Sequence, residues 1–110
     1  MYTLITVIRK RTEITTERFR HFMEFEYGPV YATMELVRAY EQLFVDDMMT
    51  DGAEPPIDAI VRIAFESKQD MAIALDSDAY REAHRMRADF IQPTSRGIHS
   101  AVVDRVVRLV

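Results

Sequence analysis

Apolar and polar residues alternate along four stretches of the chain, and this alternation predicts four β-strands. The stretches are residues 2–9, 36–45, 57–66 and 98–110, and they are rich in β-branched side chains. In the first stretch both sets of alternating residues are largely apolar. A strand that is apolar on both sides is typical of a sheet whose two faces are covered.

Apolar residues recur at helical spacing between the first and second predicted strands. Phe22 and Met23 lie on one apolar stripe. Gly28 followed by Pro29 is expected to stop the helix, because proline cannot continue the hydrogen-bonding pattern. The pattern therefore predicts a first helix over residues 15–27.

The stretch between the third and fourth predicted strands contains two helix starts rather than one. Ser67 and Ser77 are both good N-cap residues, and each precedes residues with helical periodicity. Pro93 marks the end of the second run. We therefore expect a second helix that is broken into two pieces.

The order of these elements is β-α-β-β-α-β, which predicts an α+β fold of the ferredoxin-like type. In this sandwich a four-stranded antiparallel sheet has helices on one face only, and we expect a single domain over residues 1–110. The other face would expose a large apolar surface, which is unusual for a monomer. A homodimer formed through this open sheet face is the simplest arrangement that covers it.

Composition and charge exclude several classes of function. The 110 residues carry a formal net charge of −4, which argues against a nucleic-acid partner. There is no cysteine, so disulfides and thiolate metal sites are excluded. The N-terminal residues do not resemble a signal peptide, and no apolar run approaches the ~20 residues that span a membrane. We therefore expect a cytoplasmic protein with no membrane partner.

The chain has no recognisable metal or cofactor motif. Its three histidines, His21, His84 and His99, do not have the spacing of metal ligands. No glycine-rich phosphate loop, nucleophile elbow or dinucleotide fingerprint is present. We expect neither a metal site nor a cofactor.

Three segments resemble the EthD family. They are the Phe-Arg-His-Phe-Met-Glu-Phe-Glu-Tyr-Gly-Pro-Val run at residues 19–30, the Pro-Ile-Asp-Ala-Ile-Val run at 56–61, and the helix at 83–90. The resemblance covers nearly the whole chain. It implies a dimeric α+β barrel with a pocket between sheet and helices. Similar proteins include lactone isomerases, polyketide cyclases, dehydratases and monooxygenases that need no cofactor, and others have no assigned reaction.

The sequence departs from the family pattern directly before Gly-Pro, where the family has a histidine and this chain has Tyr27. The aromatic pair of the family is also altered, to Phe22 and Met23. A tyrosine of pKa near ~10 donates a hydrogen bond rather than shuttling protons at neutral pH. Tyr27 is either an oxyanion-type donor to a substrate carbonyl or a helix-end residue that packs its ring. The resemblance places Phe22 and Met23 beside the substrate.

Three further residues are candidates for the site. His84 adjoins the apolar stripe of its helix and is either a general base or a surface residue. Arg62 lies in the middle of a strand and is either an anchor for a carboxylate or enolate, or half of an interface ion pair with Glu41 or Asp104. Tyr40 would line a pocket beside Arg62 if their faces agree.

The resulting hypothesis is a cofactor-independent enzyme that acts on a small apolar oxygenated molecule, such as a lactone, an aromatic or a polyketide fragment. Its chemistry would be proton transfer in an isomerisation, cyclisation or dehydration. A non-catalytic binding or accessory protein of a degradation pathway is the first alternative, and the loss of the family histidine favours it. A cofactor-free monooxygenase is the second.

Overall fold

The computed structural model describes all residues from 1 to 110. In chain order, the elements are β1 (Tyr2–Ile8), α1 (Thr16–Phe22), a π-helix (Met23–Tyr27), α2 (Gly28–Ala32), β2 (Ala39–Phe44), β3 (Ala59–Phe65), α3 (Lys68–Ala74), α4 (Asp78–Met86), a 3₁₀ turn (Arg87–Asp89), α5 (Thr94–Gly97) and β4 (Ile98–Val102).

The four strands form one antiparallel sheet in the order β2-β3-β1-β4. The α+β, ferredoxin-like prediction is thus confirmed. Thr6 lies opposite Val61 and Ser100, whereas the next residue towards the N-terminus, Ile5, lies opposite Arg62 and Ala101. Because side chains alternate along a strand, the Thr6 row faces the helices and the Ile5 row faces the open side.

The core lies between the helices and one face of the sheet. Its largest fully buried side chains are Ile8, Phe19, Phe22, Met23, Phe65 and Ile91. Side-chain hydroxyls cap the helices: the backbone N–H of Arg18 donates to Thr15, and that of Asp70 donates to the predicted cap Ser67. The predicted break in the second helix is confirmed, since α4 starts at the Ser77 cap.

The first helix does not end at Tyr27, so that prediction was wrong. The backbone N–H of Gly28 bonds to the carbonyl of Met23, five residues back, and this wide turn lets the chain continue in α2. Pro29 then sits in the first turn of α2, where a missing N–H costs nothing. Helical structure therefore continues to Ala32.

Glycine at position 28 lets the helix approach β2 closely. A Cβ atom at Gly28 would lie 2.5 Å from the side-chain nitrogen of Gln42 and 2.8 Å from the carbonyl oxygen of Met23. The same Gln42 nitrogen donates to the Met23 carbonyl at 2.7 Å. The wide turn is thus tied directly to the sheet.

The predicted strands were too long at two places. Strand β2 begins at Ala39 rather than 36, because Leu36 and Val37 belong to the turn that leaves the helix and pack against the core there. Strand β4 ends at Val102 rather than 110. The last residues keep a strand-like pattern but have no neighbouring strand to pair with in a single chain, so Leu109 is 89% exposed.

Candidate functional site

A cavity of about 230 Å³ lies between the helix-facing side of the sheet and the helices. Most of its wall is apolar or aromatic. The lining residues are Leu4, Thr6, Ile8, Tyr27, Tyr31, Val61, Ile63, Met71, Leu75, Tyr80, Arg87 and Ser100. An apolar cavity with a few convergent polar groups is the usual form of a small-molecule site, and this volume is somewhat below the usual ~300–1,000 Å³.

Two tyrosines from the first helix supply hydroxyls to the cavity. Tyr27 and Tyr31 are one helical turn apart, and their rings meet edge to face at 5.2 Å between centroids. Their hydroxyl oxygens lie 2.8 Å apart and share a hydrogen bond, while each residue is only 3% exposed. The pair exists because helical structure continues through Gly28 and Pro29.

Arg87 brings a positive charge to Tyr27 and to a third tyrosine of the cavity, Tyr80. Its Nε donates to Tyr27 Oη at 3.3 Å and its terminal nitrogen donates to Tyr80 Oη at 3.4 Å. Burial opposes the charge, but the oxygens of Tyr27 and Tyr31 favour it and the net effect raises the pKa of Arg87. The guanidinium is therefore charged throughout the pH range in which proteins are stable.

Aromatic neighbours hold the two tyrosines in place. Tyr40 stacks on Tyr31 at 5.0 Å and accepts a hydrogen bond from the Gln42 amide at 3.0 Å. On the other side, the ring of Phe22 lies 5.6 Å from that of Tyr27. Side chains fixed in this way are pre-organised, which favours binding and catalysis.

Burial also changes the acidity of two of these tyrosines. Burial raises the pKa of Tyr31, and the neighbouring Tyr27 adds to the increase. Burial likewise raises the pKa of Tyr40, although its hydrogen bond with Gln42 acts in the opposite direction. Both side chains are neutral hydroxyls at physiological pH.

The hydrogen-bond arrangement leaves Tyr27 able to donate into the cavity. The oxygen of Tyr27 can accept one bond from Arg87 and one from Tyr31, so its own proton is then free for a ligand. A hydroxyl that accepts from a cation is polarised, which strengthens it as a donor. This geometry suits a carbonyl oxygen that gains negative charge.

The predicted site residues do not all lie at the cavity. Tyr27 lines it, whereas Phe22 and Met23 are buried behind the lining and support it through packing. Tyr40 lies behind Tyr31, on a shallow groove beside Gly28 and Pro29.

Arg62 and His84 are outside the cavity. Arg62 lies on the open face of the sheet, where its Nε donates to a carboxylate oxygen of Glu41 at 2.8 Å. Arg62 lies opposite Glu41, whereas Tyr40 lies opposite Ile63, so the side chains of Arg62 and Tyr40 are on different faces of the sheet. His84 is exposed, and its ring packs edge-on against Tyr80 at 6.2 Å.

The sequence reasoning missed Tyr31, Tyr80 and Arg87. Placing the helix end at Tyr27 concealed that Tyr31 lies one turn further on the same face. Tyr80 and Arg87 are seven residues apart, which is two helical turns and a usable signal for one helix face.

No protein-family model matches the sequence, and no curated protein matches it significantly. Solved structures do match it. One is an EthD family protein from Bacillus halodurans, with a TM-score of 0.72 and 8% identity over 96% of this chain and 100% of that one. This chain has an EthD-like fold.

Two further structures share this fold. A protein from Arabidopsis thaliana has a TM-score of 0.73 and 12% identity, with 100% of both chains covered. A protein from Bacteroides fragilis, described as dimeric, with a ferredoxin-like fold and of unknown function, has a TM-score of 0.63 and 12% identity over 93% of this chain and 91% of that one. At these identities the likeness concerns the fold. No helix of this chain has the length and apolar character needed to cross a membrane.

The raised tyrosine pKa values predict a loss of stability at alkaline pH. The folded protein keeps protons on Tyr31 and Tyr40 that the unfolded chain releases above pH ~10, so stability is intact below that pH and falls above it. Each such tyrosine contributes a slope of about 1.4 kcal/mol per pH unit. In Tyr31→Phe we expect the decline in unfolding free energy to be shallower by about that amount.

Urea unfolding at pH 8 and at several values above 10 measures this slope. At pH 8 the same variant should lose about 0.5–1.5 kcal/mol because the bond to Tyr27 is gone. Equal slopes for the variant and the wild type would contradict the assignment of the alkaline loss to Tyr31.

Proposed function

We propose that the cavity binds a small, largely apolar, oxygenated molecule and that Tyr27 donates a hydrogen bond to its carbonyl oxygen. The observation that carries this proposal is the hydrogen-bonded trio of the buried Tyr27 and Tyr31 and the partly buried Arg87 at one side of an otherwise apolar cavity. A few convergent polar groups in an apolar cavity are suited to hold a ligand oxygen. The EthD name of one structural neighbour agrees with a small-molecule role.

The reaction that we propose is proton transfer, as in the isomerisation of an unsaturated lactone. A C–H bond beside the carbonyl breaks, its electron pair moves onto the carbonyl oxygen as an enolate, and a proton is added at a different carbon. Tyr27 and Arg87 would stabilise the enolate oxygen, which is the species with the developing charge. Cyclisation and dehydration pass through the same kind of charge.

No carboxylate or imidazole lines the cavity, so its wall does not supply a proton acceptor for this reaction. His84 packs against Tyr80, one side chain away from the cavity, and it remains our proposed base. The alternative is a binding or accessory protein, which needs the donors of the cavity but no base.

A lactone whose double bond lies one carbon away from conjugation distinguishes these roles. In D₂O, an isomerase moves the double bond and introduces deuterium, which ¹H NMR detects. We expect Tyr27→Phe to lower kcat/KM about 100-fold, as the loss of an oxyanion donor does, and His84→Ala to lower it by at least as much. Unchanged rates in both variants would contradict the site assignment, and binding without isomerisation by the wild type would favour the accessory role.

We also propose that the protein is a homodimer that covers the open face of the sheet. This face has apolar rows, with Leu43, Ile60 and Val7 adjacent across three strands. The Arg62–Glu41 pair is the charged part of the face and carries both signs, so it is self-complementary under a two-fold axis. The Bacteroides fragilis neighbour is described as dimeric.

Sedimentation equilibrium at micromolar concentration should give the mass of two 12.8 kDa chains. Leu43→Glu should shift the protein to a monomer, because it places a charge in the buried face. Ile73→Glu is the matched control: Leu43 is 44% exposed and Ile73 54%, but Ile73 lies on α3 on the helical side. A monomeric wild type, or equal effects of the two substitutions, would contradict this interface.

A further inference from the structure

Arg87 is the arginine that lines the apolar cavity, and no carboxylate is paired with it. The arginines that form ion pairs with Asp or Glu are Arg9, Arg11, Arg18, Arg38, Arg62, Arg81 and Arg85. Arg87 forms none, although the chain has 18 acidic residues. Arg20, Arg96, Arg105 and Arg108 also form none, but they do not line this cavity. A partly buried cation without a counter-charge is costly, so its retention at the cavity calls for an explanation.

The neighbours of Arg87 do not neutralise it. Its hydrogen bonds go to the neutral hydroxyls of Tyr27 and Tyr80, and its guanidinium lies 5.7 Å from the centre of the Tyr80 ring. A guanidinium has five N–H donors, and these two bonds use two of them. The remaining donors and the full positive charge are available to a group in the cavity.

The apolar walls of the rest of the cavity restrict which molecules can carry a group that binds Arg87. The sheet side of the cavity is formed by Leu4, Ile8, Val61 and Ile63, with the hydrogen-bonded Thr6–Ser100 hydroxyls as its polar part. These walls favour a compact ring or short branched chain over a sugar or a nucleotide. A charged oxygen would therefore be the only strongly polar part of the ligand.

We infer that the cavity selects a small organic anion, an aromatic or alicyclic carboxylate or an ionised phenol, whose charged oxygen lies between Arg87 and Tyr27. This inference rests on the proposed function, because it assumes that the cavity holds a ligand. It adds the charge of that ligand and assigns Arg87 as the residue that determines it. A carboxylate or phenolate oxygen can accept from both donors at once, since it has several lone pairs.

Benzoate and benzamide are matched probes, because they share a ring and a carbonyl but only benzoate is charged at pH 7. By titration calorimetry we expect the wild type to bind benzoate about 10- to 100-fold more tightly than benzamide, the range typical of a charge-assisted hydrogen bond. Arg87→Gln should remove this preference by weakening benzoate binding much more than benzamide binding. Arg87→Lys, which keeps the charge, should retain a preference for benzoate.

Arg85→Gln is the matched control, because Arg85 lies two residues before Arg87, at the end of α4, but is exposed and paired with Glu82. It should leave both affinities unchanged. Equal binding of the two probes by the wild type, or a preference that survives in Arg87→Gln, would overturn the inference while leaving the cavity as a ligand site. Binding of neither probe by the wild type would overturn both the inference and the proposed function.

Discussion

The wide turn at Met23–Tyr27 is the constraint on which the rest of the site depends. It lets helical structure continue past Pro29, and it brings Gly28 so close that a Cβ atom there would lie 2.5 Å from the Gln42 amide nitrogen and 2.8 Å from the Met23 carbonyl oxygen. The continued helix and the close approach to the sheet both depend on residues 23–29. Because helical structure continues through the turn, Tyr31 lies one helical turn beyond Tyr27.

From that turn, a continuous set of contacts runs to the cavity. Gln42 bonds to the Met23 carbonyl and to Tyr40, and Tyr40 stacks on Tyr31, which shares a hydrogen bond with Tyr27. Each contact has a modest net value of about 0.5–1.5 kcal/mol. Together they fix the direction of two hydroxyls, and this is worth more to a binding site than the stability they add. The free charge of Arg87 then acts on hydroxyls that are already positioned.

Much of the fold could be predicted from the sequence, because strands and amphipathic helices have simple periods. The serine caps correctly divided the second helix, and the apolar open face follows from alternation in β1 and β3. The end of the first helix could not be predicted this way, since Pro29 is a general helix breaker and only the local π-turn overrides it. The predicted length of β4 was wrong for a different reason. Residues 103–110 have a strand-like pattern, but a strand also needs a neighbouring strand to pair with.

Less of the site could be predicted. The position before Gly-Pro identifies Tyr27 as a candidate. No motif surrounds Arg87, and its role depends on contacts with Tyr27, which is distant in sequence, and with Tyr80, which lies two helical turns earlier. Arg62 attracted attention as a charge within a strand, but its neighbour Glu41 already neutralises it. Arg87, which has no carboxylate partner, therefore indicates the site better than Arg62 does, and only the three-dimensional structure shows which arginines are paired.

Methionine-methyl NMR can show directly whether a ligand binds in the cavity between sheet and helices. Met71 lines the cavity, while Met48 and Met49 are 90% and 64% exposed in the loop between β2 and β3. On titration with benzoate, we expect a saturable shift of the Met71 methyl signal and none for Met48 or Met49. An unchanged Met71 signal, or saturable shifts confined to the loop methionines, would contradict it.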